Sequence, residues 1–279
     1  MEIQELKDMA AQIRRDCLRM VYEAQSGHPG GSLGCADFFA ALYFKIMKRK
    51  EGFDMHGKGE DIFFLSNGHI SPVWYSTLAR AGYFPLEELS TFRKIDSRLQ
   101  GHPATAEHLP GIRVASGSLG QGMSVAIGAA TAKKLNNDDH IVYSLHGDGE
   151  LNEGQNWEAI MYAAMNKVDN LISTVDRNHQ QIDGTTESVM KLGNLKEKFL
   201  AFHWEVLEMD GNNMEEVVST LDKAKTFVGK GKPIVIIMTT IMAKGVGFME
   251  NNHAWHGSAP NDEQYEKALA QLPETGGDY

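Results

Sequence analysis

A glycine–aspartate–glycine turn and a later asparagine are the residues whose types and spacing most directly suggest chemistry. Gly147, Asp148 and Gly149 follow one predicted strand, and Asn178 follows the next. Ligands of open α/β sheets bind outside the carboxyl ends of the strands, so the two loops should lie side by side. Glycines let the backbone approach a ligand closely, and the start of a helix offers free N–H groups to phosphate oxygens.

The same two loops offer hard oxygen ligands. They are the Asp148 carboxylate, the Asn178 amide oxygen and a backbone carbonyl near Gln180, which together with diphosphate oxygens suit Mg²⁺. An isolated turn of this type is more often a helix cap formed by its aspartate. Because Asn178 arrives in the matching loop of the neighbouring strand–helix unit, we interpret the pair as a diphosphate and metal site.

The chain contains 11 histidines, and four of them lie in glycine-rich or proline-rich turns. Neutral imidazole can donate or accept a proton near neutral pH and can hydrogen-bond sugar hydroxyls without a fixed charge. The candidates for this role are His28, His69, His102 and His256. We interpret the remaining loop and surface histidines, such as His56 and His203, as structural.

The elements that must position these residues alternate between strands and helices. Apolar side chains at helical spacing predict one helix over residues 3–24, which ends at the turn 26–31, and a second helix over 35–47. Further strands are predicted at 61–66, 141–145, 171–176, 204–209 and 233–240, and helices at 72–82, 86–94, 155–167, 192–202 and 213–228. This alternation predicts an α/β fold with a mostly parallel sheet and helices on both faces.

Composition limits the class of protein. The chain has 279 residues and a formal net charge of -10, which argues against a nucleic-acid or membrane binder that acts through bulk charge. Two cysteines make no disulfide framework, and the first residues lack the pattern of a signal peptide, so a cytoplasmic setting is predicted. We expect a single domain over 1–279, with a peripheral tail over 261–279 whose last four residues fray.

The motifs together resemble the thiamine-diphosphate enzymes and, more narrowly, the N-terminal part of transketolase. The cofactor motif of that family is a Gly-Asp-Gly turn followed by an asparagine. Further segments occur in the family's order and extend the resemblance from about residue 13 to residue 260: 26–30, 65–69, 101–103, 117–122, 182–184 and 256–260.

The resemblance implies a role for each candidate residue. His69 would contact the diphosphate end of thiamine diphosphate, His28 and His102 would bind the ketose near its C1 and C2 oxygens, and His256 would lie near both. Other cofactor contacts would come from Gly117, Leu119, Gly149, Asn178 and Ile182, and the ligands of Mg²⁺ or Ca²⁺ would be Asp148, Asn178 and Gln180. The loop 117–122 is also typical of a glycine-rich helix entry, and both interpretations can hold.

Several residues depart from the family pattern or keep two interpretations. His146 stands where an apolar residue is expected, and Gln180 often has an apolar counterpart, which matters little if only its carbonyl binds metal. Lys244 is a weak candidate for a cofactor or substrate contact. Glu153 and Glu158 would face a subunit interface by resemblance, but acidic residues at a solvated helix start are equally typical.

The resemblance also implies an activity and a partner. The activity is transfer of a two-carbon glycolaldehyde unit from a ketose phosphate to an aldose phosphate. Since nothing in the chain resembles the pyrimidine-binding domain, we expect a second polypeptide to supply it, in an α₂β₂ assembly. The alternatives are the alpha chain of a 2-oxo acid dehydrogenase, a 1-deoxyxylulose 5-phosphate synthase, or a non-catalytic regulatory paralogue.

Overall fold

The computed structural model describes residues 1–279 and contains ten α-helices and seven strands. The helices are α1 Ile3–Ala24, α2 Pro29–Gly34, α3 Ala36–Ala41, α4 Ser71–Arg80, α5 Gln121–Leu135, α6 Gly154–Met165, α7 Thr186–Val189, α8 Leu195–Ala201, α9 Met214–Lys225 and α10 Asp262–Leu269. The strands are β1 Ile62–Leu65, β2 Val142–Gly147, β3 Leu171–Arg177, β4 Gln180–Gln181, β5 Gly184–Thr185, β6 Glu205–Asp210 and β7 Ile234–Thr239.

Five strands form one sheet in the order β1-β2-β3-β7-β6, and every neighbouring pair is parallel. The short strands β4 and β5 form a separate antiparallel hairpin. All five strand segments predicted from the sequence lie in the parallel sheet, so the predicted fold class is confirmed. Parallel order places the carboxyl ends of all five strands at one edge, where ligands of such sheets bind.

Two apolar layers cover the two faces of the sheet. One contains Phe39 of α3, Trp74 of α4 and Leu221 of α9, and it packs on Phe63 and Ile236 of the sheet. The opposite layer is built by α5, α6 and α8 through Met123, Ile127, Ile160 and Phe199. Successive side chains of a strand point to opposite faces, so a buried strand such as β2 contributes side chains to both apolar layers. This arrangement fixes the sheet and leaves the loops at its carboxyl edge free to form a site.

Two helical predictions differ from the structure in detail, and the long helix α5 was not predicted. The segment 35–47 divides into α3 and a π-helical turn at Leu42–Ile46, and the segment 86–94 contains a 3₁₀ turn at Leu86–Thr91. The apolar pattern of the sequence predicted no helix over the residues of α5. The small and apolar residues of this helix, Gly128 and Ala132 among them, lie on the exposed side as well as the buried side, so the usual amphipathic period is missing.

The prediction that the last four residues fray is wrong. The Asp278 carboxylate accepts hydrogen bonds from Arg15 at 2.6 Å and Arg19 at 3.2 Å, and the Tyr279 ring lies 4.7 Å from the Arg19 guanidinium. These contacts attach the tail to α1. The ion pairs of Asp278 and the cation–π contact of Tyr279 offset the conformational entropy that is lost when the chain end is ordered. None of the helices combines the length and the apolar character that crossing a membrane requires.

Candidate active site

The strand register brings the predicted loops together at the carboxyl edge of the sheet. Gly147 at the end of β2 pairs with Asp176 in β3, and Leu65 at the end of β1 pairs with Leu145 in β2. The loops after β1, β2 and β3 therefore surround one cavity of about 260 Å³. Its walls include most of the predicted cofactor and metal residues: His69, Leu119, Asp148, Gly149, Asn178, Gln180, Ile182 and His256.

Asp148 is held rigidly at the floor of this cavity. One carboxylate oxygen accepts from the Gly149 N–H at 2.7 Å, and the other accepts from the His179 N–H at 2.8 Å and from Arg177 at 3.2 Å. The residue is 2% exposed. A carboxylate has room for about four hydrogen-bond or metal contacts, so one position remains for a cation.

Asn178 is oriented by a buried aspartate that the sequence analysis did not assign to the site. Its amide nitrogen donates to Asp176 at 2.8 Å, and Asp176 also accepts from the Thr240 hydroxyl. Asn178 Oδ1 accepts from the Gln180 N–H at 2.9 Å and retains a second lone pair. Asp176 thus acts as a positioning residue, and its place in the register opposite Gly147 was the signal that could have revealed it.

The electrostatics around Asp148 and Asp176 fit a bound cation. Burial raises the pKa of Asp148 to about 7, and the neighbouring Asp176 carboxylate contributes to that rise. Burial also raises the pKa of Asp176. Two buried carboxylates and the single nearby Arg177 leave negative charge without full compensation, which a divalent cation would supply. The donor set of carboxylate, amide and backbone oxygens suits Mg²⁺ or Ca²⁺.

Glu150, one residue beyond the turn, joins its own loop to the loop after β1 and to the loop that enters α5. Its carboxylate accepts from the Ser66 hydroxyl after β1, from the Gly120 N–H at 2.8 Å and from the Gly147 N–H at 3.0 Å. The Ser66 oxygen in turn accepts from the Gly122 N–H at 3.1 Å. Glu150 is 2% exposed, and burial raises its pKa. This role could not be predicted from local pattern, because Ser66 and Gly120 are distant from Glu150 along the chain.

His146 lies inside the sheet and not on the cavity wall. Its Nε2 is 2.9 Å from the Ser144 hydroxyl oxygen, and its Nδ1 is 3.9 Å from Glu150. Burial lowers its pKa to about 3, so the ring is neutral. His146 stands where an apolar residue was expected, and its hydrogen bond with the buried Ser144 explains how the sheet accommodates a polar ring there.

The four predicted histidines form one cluster beside the cavity. His28 lies at the centre, with ring centroids 5.0 Å from His69, 5.8 Å from His256 and 6.3 Å from His102. Burial lowers the pKa of all four, to about 4 for His28. The cluster is therefore neutral at pH 7, and each ring can act as both donor and acceptor.

Several buried polar atoms in the cavity and in the histidine cluster have no hydrogen-bond partner within the chain. They include Nδ1 of His28 and of His256, Oδ1 of Asn67 and Nε2 of Gln181. Three of these residues, Asn67, Gln181 and His256, line the cavity. Buried polar groups are normally hydrogen-bonded, so these atoms indicate a polar ligand, and the residues present fit a diphosphate-bearing cofactor.

Gly117 leaves room for the ring of His102, because it has no side chain. Its φ of 124° is rarely adopted by other residues, and a Cβ would lie 2.7 Å from the His102 ring. Any larger residue would displace His102. Leu119, in the same loop, lines the cavity and is 37% exposed. The loop therefore enters α5 and also borders the site, and its contact with a cofactor stays a prediction.

The remaining candidates, Glu153, Glu158 and Lys244, lie in different parts of the structure. Glu153 lines the cavity, whereas Glu158 lies on the outer side of α6 beside a groove against α5. Lys244 lies 3.7 Å from Glu250, which gives it a partner away from the cavity. Arg93, which the sequence analysis did not name, lies beside the histidine cluster, where its charge helps to lower the pKa of His28 and His102.

Comparison with known proteins identifies the family of the chain. Residues 6–273 match the family model described as transketolase, thiamine diphosphate binding domain. The chain is 39% identical over 274 residues to one of the subunits of the apulose-4-phosphate transketolase of Phocaeicola vulgatus, covering 98% of this chain and 96% of that one. It is also 39% identical over 275 residues to the 6-deoxy-6-sulfo-D-fructose transketolase subunit SqwG of a Clostridium species, covering 98% of each.

A solved structure shows the same fold. The crystal structure of transketolase from Campylobacter jejuni superposes with a TM-score of 0.88 at 36% sequence identity. The match covers 98% of this chain and 43% of that one, so the chain spans less than half of the solved transketolase. The predicted resemblance is confirmed: the chain belongs to the transketolase family, whose thiamine diphosphate binding domain it matches over nearly its whole length.

Proposed function

We propose that this chain is the diphosphate-binding subunit of a two-polypeptide transketolase that moves a glycolaldehyde unit from a ketose phosphate to an aldose phosphate. The observation that carries the proposal is the cluster of four neutral histidines next to a cavity with two buried carboxylates. A polyol substrate needs uncharged donors and acceptors, and the neutral histidines supply them. A 2-oxo acid dehydrogenase would have less use for His28 and His102.

The cavity would hold the cofactor through its own residues. Asp148, Asn178 and the Gln180 carbonyl would bind Mg²⁺, and Gly149, His69 and Leu119 would contact thiamine diphosphate. When bound, thiamine diphosphate supplies the nucleophilic carbon that the reaction requires. The chain's own task is to hold the diphosphate, neutralise its charge through the metal and orient it beside the histidines.

The histidines would handle the substrate. His28 and His102 would donate hydrogen bonds to the C1 and C2 oxygens of the ketose, and His256 would contact both cofactor and sugar. Because the pKa of His28 is lowered to about 4, the ring stays neutral at neutral pH and can donate a hydrogen bond to a sugar oxygen or accept one from a sugar hydroxyl. Glu150 would act indirectly by holding the loops in place, and Gly117 by leaving room for the His102 ring.

A partner polypeptide completes the proposal. Two relatives that match over nearly their whole length are named as subunits, which supports a second polypeptide that carries the pyrimidine-binding domain. The surface agrees, since Ile182 at the cavity rim is 62% exposed, and Tyr162 and Met165 on α6 are 52% and 83% exposed. Exposed apolar side chains such as those that line the groove between α5 and α6 are typical of interaction surfaces. An α₂β₂ assembly is the proposed form.

The test uses the chain with and without its partner, with Mg²⁺ and thiamine diphosphate present. Two-carbon transfer is assayed with pentose phosphates, other ketose phosphates and 2-oxo acids as donors. We expect ketose-dependent turnover only when both polypeptides are present. Turnover with 2-oxo acids but no ketose would favour the dehydrogenase alternative. Cofactor binding without any turnover in the complex would favour a regulatory paralogue, and robust turnover by the chain alone would contradict the partner requirement.

A further inference from the structure

Two of the clustered histidines lie on segments that touch each other at a glycine. His28 is the N-cap of α2, and Gly31 follows it by about one helical turn. His69 lies in the 3₁₀ turn after β1, immediately before Ile70. A Cβ on Gly31 would come 2.6 Å from Cγ2 of Ile70, whereas carbon atoms pack at about 3.5–4.0 Å. The absence of a side chain at Gly31 therefore allows the two segments to approach this closely.

Ile70 could not make room for a larger residue at low cost. Its side chain is fully buried, and the χ1 angle of a β-branched residue is restricted. Cγ2 is attached directly to Cβ, so it can move only by rotation about χ1 or by a shift of the backbone. Because protein interiors are close-packed, that rotation would displace further core side chains. A side chain in place of Gly31 would therefore push apart the backbones of two segments that each carry a histidine.

Both segments also touch other parts of the site, which limits how they could move. The turn that contains Ile70 lies against the loop that enters α5, since a Cβ on Gly68 would come 2.7 Å from the Ser116 carbonyl carbon. The start of α2 lies against the chain that follows β7, since a Cβ on Gly30 would come 3.0 Å from the Trp255 carbonyl oxygen. A change in one of these spacings would therefore be felt across the histidine cluster.

We propose that Gly31 and Ile70 are a pair of positioning residues, whose contact sets the separation of His28 from His69 and thereby the place of the ketose relative to the cofactor. This inference rests on the proposed function, in which His28 would hold the sugar and His69 the diphosphate end of thiamine diphosphate. The two ring centroids lie 5.0 Å apart. A misplacement of about 1 Å can cost a hundredfold in rate, so an apolar contact can govern turnover without touching the reacting atoms.

The experiment moves one methyl group across this contact. G31A, I70A and the double variant G31A/I70A are each assembled with the partner polypeptide, Mg²⁺ and thiamine diphosphate. The double variant G31A/I70V is the matched control, because valine keeps Cγ2 and loses only Cδ1. G154A adds a methyl group where no other atom lies within 4 Å, and it controls for the replacement of a glycine.

Three measurements are made on each complex. Kinetics with a ketose phosphate as donor give kcat and KM, calorimetry gives the affinity for thiamine diphosphate, and crystal structures give the separation of the His28 and His69 rings. Thermal unfolding checks that each variant folds. Only a positioning role predicts a loss that falls on kcat and is reversed by the second substitution.

We expect G31A to lower kcat by roughly tenfold to a hundredfold, because the contact must open by about 1 Å. KM and the affinity for thiamine diphosphate should change less than about threefold, since the misplacement affects the reacting geometry more than binding. I70A should also lower kcat, because the spacing loses its stop. G31A/I70A should recover most of the loss, whereas G31A/I70V should not, and G154A should stay within about twofold of the unchanged chain.

Two results would overturn the inference. One is a double variant G31A/I70A whose loss in kcat is the sum of the two single losses, which would mean that the residues act independently. The other is a fall in cofactor affinity as large as the fall in kcat, which would mean that Gly31 shapes the cofactor cavity itself. If G31A did not fold, I70A and G31A/I70A would carry the same comparison, and equal kcat in those two would overturn the inference.

Failure of the proposed function would be recognised separately. If the unchanged complex turned over no ketose, the proposed function would fail, but the crystal structures would still test the contact. A ring separation that increases in G31A and returns in G31A/I70A supports the positioning pair. An unchanged separation in G31A would overturn it.

Discussion

The site has two ends that are built in opposite ways. The metal end is the region around Asp148, where the proposed cation would bind, and the histidine end is the cluster of His28, His69, His102 and His256. At the metal end, Asp148, Asp176 and Glu150 are nearly fully buried, and each already accepts two or more hydrogen bonds from the chain. At the histidine end, His28 and His256 have buried ring nitrogens without partners. The first region is preorganised by its own contacts, whereas the second keeps donors and acceptors available.

The difference is explained by what each region would bind. A diphosphate and a metal need fixed positions, because charge at close range gains most when the surrounding dipoles do not have to reorganise. A sugar substrate must enter and leave, so its binding groups remain open until it arrives. The comparison predicts that substitutions at the two ends separate cofactor affinity from substrate turnover.

The largest effect is expected from D148A. Removing the carboxylate that would bind the metal should weaken Mg²⁺-dependent binding of thiamine diphosphate by more than about a hundredfold, since even outer contacts of a metal site are worth about tenfold to a hundredfold. Calorimetric titration of the complex measures the affinity, and circular dichroism checks the fold. D222N, on the exposed side of α9, is the control. Unchanged affinity would show that Asp148 does not hold the metal.

H28N and H102N should show the reverse behaviour. Each should lower kcat/KM for the ketose by roughly tenfold to a hundredfold, because a hydrogen bond to the sugar is lost, while cofactor affinity changes less than about twofold. H56N, on an exposed loop, is the control. A fall in cofactor affinity as large as the fall in turnover would place these histidines at the wrong end of the site.

E150Q tests whether the metal end depends on preorganisation. Three donors point at the Glu150 carboxylate, but an amide offers one acceptor oxygen, so at least one buried donor is left unpaired. We expect a loss of about 1–3 kcal/mol in the free energy of unfolding and weaker binding of thiamine diphosphate. Thermal unfolding and titration measure the two effects, with E263Q on the surface of α10 as the control. Stability equal to that of the control would remove Glu150 from its proposed role.

The smallest effect concerns pH. The pKa of His28 falls from the ordinary value of 6.5 to about 4, and the pKa of His102 is also lowered. Between those values the unfolded chain binds protons that the folded chain does not, so stability is complete above pH 6.5 and declines as pH falls toward 4. Unfolding midpoints measured across this range should fall less steeply in a double variant, H28N with H102N. Identical slopes would contradict buried neutral histidines.

Local pattern was enough to predict much of the scaffold. Short apolar runs such as 171–176 predicted strands, and alternation with amphipathic helices predicted the parallel sheet, because those signals depend on neighbouring residues in the chain. α5 was missed because its exposed side is also small and apolar. The ordered tail was missed because Asp278 and Tyr279 contact Arg15 and Arg19 at the other end of the chain.

The sequence by itself determined the fold class, the family and the loops in which the candidate residues lie, since turn motifs and strand-end positions are local features. Only the tertiary structure decided which side chains share one cavity, which histidines are neutral, and that Glu150 and Asp176 hold the loops together. Those properties arise from burial and from hydrogen bonds between distant segments.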